Sequence, residues 1–121
     1  MKKTLVIGAS ENPERYSFKA ITSLVQHGHE VKALGLKSGE VAGVKFDTEK
    51  IPYAHIDTVS LYVGPQNQSD YYDYIESLRP KRVIFNPGTE NKEFEVRLKK
   101  KGIEVEEACT LVLLATNQYE K

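Results

Sequence analysis

Residues 4–17 run Thr4-Leu5-Val6-Ile7-Gly8-Ala9-Ser10-Glu11-Asn12-Pro13-Glu14-Arg15-Tyr16-Ser17. An apolar run breaks at a glycine and two small residues, and polar residues then lead into a helix-like pattern. A buried strand that hands a tight loop to a helix start gathers free backbone N–H groups at the helix's partial positive end. That arrangement favours an anion such as a phosphate. Arg15 offers a guanidinium fork and Ser17 a hydroxyl at the same helix start, both able to reach a phosphate. The plainer alternative makes Ser17 a helix cap and Arg15 a solvated charge. Further along, Gly35-Leu36-Lys37, Val63-Gly64-Pro65 and Asn86-Pro87-Gly88 each follow a strand-like run, and glycines there let a flat ligand approach the backbone. Glycine-rich turns are common in α/β folds, so the weight lies on four such loops converging.

Other reactive residue types carry less. Cys109 follows Glu106-Glu107-Ala108, and neighbouring acids raise a thiol pKa, so a small core residue is expected there. His27, His29 and His55 offer no second cluster to complete a metal site of three or four ligands, and are expected at the surface. Tyr71, Tyr72 and Tyr74 divide between core and rim of a helix. Lys99-Lys100-Lys101 complements a helix C-terminus. No Ser-His-Asp spacing, nucleophile elbow or carboxylate pair stands out, so the chain is read as a binding module and not as an enzyme.

The elements that must position these residues follow from periodicity. Leu5 to Ile7 is a short continuous apolar run, as in a strand covered on both faces. Phe18, Ile21, Leu24 and Val25 fall at helical spacing, and Gly28 stops the pattern. Val31 to Leu34 predicts a second strand and Val44 to Phe46 a short extra one. Thr58 to Val63 predicts a third main strand, rich in β-branched and aromatic residues. A helix beginning at Ser69-Asp70 presents Tyr71, Ile75 and Leu78 inward and ends before Pro80. Arg82 to Phe85 predicts the fourth strand. Asn91 caps a helix burying Phe94 and Leu98, and Gly102 follows it. Ile103 to Val105 is a fifth strand, and Leu111 to Ala115 leans to a helix. Alternating strands and helices imply β-α-β units. The expected fold is one three-layer, Rossmann-like, doubly wound parallel sheet of about five strands, with helices on both faces, over residues 1–121.

In such folds the ligand lies outside the carboxyl ends of the strands, where the order across the sheet reverses. The dinucleotide fingerprint needs G-x-G-x-x-G and an acid at the end of the second strand. Here only the first glycine of Gly8-Ala9-Ser10-Glu11-Asn12-Pro13 is in place, and the second strand ends in Gly35-Leu36-Lys37. Glu30 precedes that strand and Glu40 lies well past it. A lysine there suits a phosphorylated ribose, as in NADP or coenzyme A, and disfavours NAD.

Gly8-Ala9-Ser10 with Pro13, Arg15 and Ser17 resembles the opening motif of the small CoA-binding-domain proteins, relatives of the CoA-binding part of the succinyl-CoA synthetase alpha subunit. The likeness continues through Val31 to Lys37, Gly43, Ile51-Pro52, Asp57, Asn86 to Gly88 and Cys109. It implies a Rossmann fold that binds coenzyme A, with the pyrophosphate on the first loop and the adenosine toward the ends of the second and third main strands. Carried onto this chain, Gly8, Ala9, Ser10, Arg15 and Ser17 would hold the pyrophosphate and Lys37 the 3′-phosphate. Leu36 would lie beside the adenosine, and Gly64, Pro87 and Gly88 would shape the floor. The resemblance also keeps a thiol contact open for Cys109. The chain departs from the family pattern at Gly35-Leu36, where Asn-Pro is frequent, at Val63, where arginine is common, and at Asn86, where glutamine is usual. The alternatives are an NADP-type binder or reductase remnant, and a scaffold that has lost its ligand.

The resemblance leads to the expectation of a sensor or carrier module that acts as a homodimer or with a protein partner; bulk composition speaks only to the class of chain. At 121 residues, 40% apolar and 28% charged, the chain suits one globular domain. Lys plus Arg and Asp plus Glu number 17 each, so no basic face marks a nucleic-acid partner. No apolar stretch approaches the ~20 residues that span a bilayer. One cysteine makes no internal disulfide, which suits a reducing cytoplasm.

Overall fold

The computed structural model describes residues 1–120. Five parallel strands form the central sheet: β1 (Thr4–Ala9), β2 (Val31–Gly35), β5 (Thr58–Leu61), β6 (Arg82–Phe85) and β7 (Glu104–Glu107). Their spatial order is β2-β1-β5-β6-β7. The other elements are α1 (Tyr16–Gln26), the antiparallel hairpin β3 (Gly39–Val41) and β4 (Val44–Phe46), α2 (Tyr72–Leu78), α3 (Lys92–Lys100) and α4 (Thr110–Ala115). Two short 3-10 turns, Pro65–Asn67 and Ser69–Tyr71, precede α2. This is the doubly wound α/β architecture expected, with the β3–β4 hairpin added. Residues 39–41 gave no periodic signal because three residues are too few to show one.

The two layers of helix arise from the alternation of side chains along each strand. Leu5, Ile7, Val59, Leu61, Val83 and Phe85 point to one face and pack with Ile75, Phe94 and Leu98 from α2 and α3. Val6 and Ile84 point to the other and pack with Ile21, Leu24, Leu113 and Leu114 from α1 and α4. Crossovers of one hand that travel in opposite directions from β1 put their helices on opposite faces. Each fully buried side chain of this size contributes roughly 1.5–3 kcal/mol relative to exposure.

Register keeps the strand ends level. Thr4, Thr58, Arg82 and Glu104 align in one row at the amino edge, and Ile7, Leu61, Phe85 and Glu107 in another near the carboxyl edge. From β1 the chain goes first to β2 on one side and then crosses to β5 on the other, so loops leaving β1 and β5 diverge and open a crevice between them. The third main strand stops at Leu61, two residues before the expected end at Val63. Tyr72, Tyr74 and Ile75 form the inner face of α2, while Tyr71 ends the preceding 3-10 turn and is half-buried. Early 3-10 winding rotates the helix relative to a continuous 3.6-residue pattern, which explains that shift. Among the described residues no helix is long and apolar enough to cross a membrane.

Candidate functional site

At the carboxyl edge of the sheet a cleft of about 1210 Å³ opens at the β1/β5 reversal. That exceeds the ~300–1,000 Å³ of ordinary small-molecule pockets, so an extended ligand fits its dimensions. Gly8, Ala9, Ser10, Arg15, Ser17, Leu36, Lys37, Gly64, Pro87 and Gly88 all line it. These ten residues, carried over from the sequence as ligand contacts, are therefore brought to one place from four separate loops.

The first loop is shaped by its own side chains. The Ser10 hydroxyl accepts the Asn12 N–H at 3.0 Å, and Asn12 Oδ1 accepts the Glu14 N–H at 3.0 Å. Such Asx and Ser turns set the chain into α1. Gly8 has φ +96°, and a Cβ there would lie 2.8 Å from the Tyr62 carbonyl oxygen. Only glycine lets β1 and the end of β5 close on each other at this point. Arg15 occupies the N-cap position of α1, no side chain caps that helix, and its first turn holds no acid. Ser17 is thus a buried residue inside the first turn, and not the cap. The first turn of α1 therefore points its positive end at the cleft without an acid of its own, with Glu14 just before the N-cap also lining the cleft.

Across the cleft, Leu36 is 83% exposed and stands at the rim with Lys37 and Ser38. Neither Arg15 nor Lys37 makes an ion pair among the described residues. The floor comes from Tyr62, Val63, Gly64, Pro87, Gly88 and Thr89. Asn86 lies beneath it, fully buried, donating to Ser60 Oγ and the Leu61 carbonyl at 3.0 Å each and accepting the Thr110 N–H at 2.8 Å. Gln68 donates to the Val63 and Thr89 carbonyls at 2.8 and 2.7 Å, fastening the β5 loop to the β6 loop. The Gly88 N–H is held by Glu90 Oε1 at 3.0 Å, so Gly88 offers shape more than a free donor.

Tyr62, itself part of this floor, is half-buried with its hydroxyl turned into the protein. Burial pushes its phenol up to about 12, so it is a neutral hydroxyl near pH 7. Ser60 and Thr110 bond each other at 2.8 Å, leaving the buried Tyr62 Oη with no hydrogen bond of its own.

Sequence reasoning missed several lining residues. Phe46 belongs to β4, and its ring lies over the end of β2 where Gly35 has no side chain. Glu11, Asn12, Asp70 and Tyr71 also line the cleft. Glu11 and Asn12 sit inside the segment already singled out, and their polar character was the available signal. Phe46 and Asp70 gave none, because tertiary folding alone brings them here. Two of the remaining expectations need correction. His29 is not at the surface: it is 8% exposed, accepts the Lys2 N–H at 3.0 Å and meets the Tyr119 ring edge-on. Cys109 is only half-buried, at the N-cap position of α4, and not a core residue.

Comparison with known proteins places this geometry among relatives. The family model described as CoA binding domain matches residues 2–115. A crystal structure of an uncharacterized protein is 50% identical, covers 98% of each chain and superposes with a TM-score of 0.95. A hypothetical protein from Pyrococcus horikoshii OT3 is 29% identical over 92% of this chain and 80% of its own, with a TM-score of 0.83. A Thermus thermophilus structure at 24% identity covers 97% of this chain and 90% of its own, with a TM-score of 0.81, and shares the fold. No curated protein matches.

Proposed function

The chain belongs to the CoA-binding-domain family, and from that premise we propose that its cleft binds coenzyme A or an acyl-CoA, as the ligand-holding part of a sensor or carrier. One observation carries the reading: an uncapped helix start with Arg15 on one wall faces Lys37 on the other, both cations unpaired within the described protein. A diphosphate settles on the first wall, where the loop Gly8-Ala9-Ser10 turns into α1, because backbone N–H groups and the helix dipole converge there. Arg15 adds a charge-assisted contact. Lys37 takes the 3′-phosphate as a point charge. Gly64, Pro87 and Gly88 leave room on the floor for the pantetheine arm, and Leu36 supplies apolar surface for the adenine at the rim.

Lys37→Ala tests the assignment by calorimetric titration with coenzyme A and with dephospho-coenzyme A. The expected result is a loss on the order of tenfold for coenzyme A and little change for the dephospho form, since a charged contact of this kind contributes roughly 1.4 kcal/mol or more. Equal losses would remove Lys37 from the phosphate site. A wild-type protein whose melting temperature ignores coenzyme A and acetyl-CoA, yet rises with NADP, would overturn the choice of ligand.

A further inference from the structure

Glu11 sits in the first loop, but its carboxylate belongs to the opposite wall. Its Oε2 accepts the Glu40 N–H at 2.9 Å, spanning 29 residues of sequence to the start of the hairpin. A Cβ on Gly39 would lie 2.7 Å from both Glu11 Cγ and Cδ, so glycine at 39 is what allows the carboxylate to be seated there. Oε1 has no partner among the described residues, and Glu11 lines the cleft together with Leu36, Lys37 and Ser38. The end of β2 has no acid of its own, and Glu11 reaches that place from another loop.

An acid at the end of the second strand of a nucleotide-binding βαβ unit accepts a ribose hydroxyl, and a cation there accommodates a ribose phosphate. This wall carries both. Resting on the coenzyme A reading above, we propose that Glu11 is a specificity residue for the ligand's ribose: its carboxylate accepts a free 2′-hydroxyl while Lys37 pairs with a 3′-phosphate. The site therefore takes the adenosine 3′,5′-bisphosphate moiety and rejects its 2′,5′ isomer, whose 2′-phosphate would be pressed against a fixed carboxylate. The two isomers carry the same charge and the same base, so global electrostatics cannot separate them and only the local arrangement can. The competing role for Glu11, a brace for the hairpin alone, predicts no such discrimination.

The experiment titrates adenosine 3′,5′-bisphosphate and adenosine 2′,5′-bisphosphate into wild-type protein and Glu11→Gln, with coenzyme A in parallel. Glutamine keeps an oxygen for the Glu40 N–H and removes the charge. The wild type should prefer the 3′,5′ isomer by about tenfold, the scale of one charged hydrogen bond. Glu11→Gln should shrink that ratio several-fold, chiefly by tightening the 2′,5′ isomer. A wild-type ratio near one, or a ratio untouched by Glu11→Gln while coenzyme A still binds, overturns the proposal and leaves the coenzyme A reading standing. Failure of the wild type to bind coenzyme A and both isomers overturns the two together. If Glu11→Gln does not fold, Glu11→Asp, which withdraws the carboxylate by one methylene, must shrink the same ratio or the proposal fails.

Discussion

At the scale of single residues, the cleft depends on where a side chain is missing as much as on where one reaches. Gly8 combines a left-handed φ of +96° with a closest approach that a Cβ would reduce to 2.8 Å from the Tyr62 carbonyl. The backbone oxygen cannot move without shifting β5, so both penalties act together. Gly8→Ala should destabilise the fold by on the order of 1–3 kcal/mol. It should also weaken coenzyme A more than Lys37→Ala does, because it disturbs the loop as well as one contact. Chemical denaturation and calorimetry on the same preparation check both parts. A variant of wild-type stability and affinity would show that the loop can reshape freely.

At the scale of elements, the sequence told most where one segment carries its own signal. The run from Leu5 to Ile7 ends at Gly8 whatever the rest of the chain does, and the Asn91 cap is written in the residues that need it. Asn91 Oδ1 accepts the Phe94 N–H at 3.3 Å, and Glu95 Oε2 accepts the Asn91 N–H at 3.1 Å in return. What was not legible depends on elements meeting. Glu11 beside Glu40, Phe46 over Gly35 and Tyr62 against Gly8 are distant in sequence, and no local pattern announces them. The same holds for Glu95, which looks like a solvated helix charge yet is 4% exposed against β7. Burial raises its carboxyl pKa above the ordinary range, and a shared hydrogen bond with Glu107 raises it further. A raised acid contributes stability that is full below its unfolded pKa and fades as pH climbs through the folded value. Glu95→Gln, which is neutral throughout and keeps an acceptor for Asn91, should melt higher than wild type at pH 7. The advantage should close toward pH 4. Parallel melts across that range decide it, and a constant offset would mean that the proton plays no part.

At the scale of the whole molecule, the two edges of the sheet have different duties. The carboxyl edge carries loops shaped by glycines and short turns around an open cleft. The amino edge is closed by a buried polar cluster. Thr4 Oγ1 and Tyr119 Oη lie 2.6 Å apart, the Arg82 guanidinium sits 4.5 Å from the Tyr119 ring centroid, and His29 packs edge-on to the same ring. His29 Nδ1 accepts the Lys2 N–H, which requires that nitrogen to be unprotonated. Burial lowers the His29 pKa below its ordinary value, with the Glu120 carboxylate at 3.8 Å pulling the other way. A depressed histidine contributes stability that is complete above the unfolded pKa, near 6.5. It is lost as pH falls through the folded value, because the unfolded chain takes up the proton first. Denaturation midpoints should therefore drop between about pH 7 and pH 5, and His29→Asn should flatten that slope at the cost of some stability at pH 7. Coenzyme A affinity measured at pH 7 should not change in the variant, since His29 lies at the edge opposite the cleft. An unaltered slope would move the pH sensitivity elsewhere. A lost affinity would mean that the two edges are coupled through the strands, and that the cleft's geometry depends on how the far end is closed.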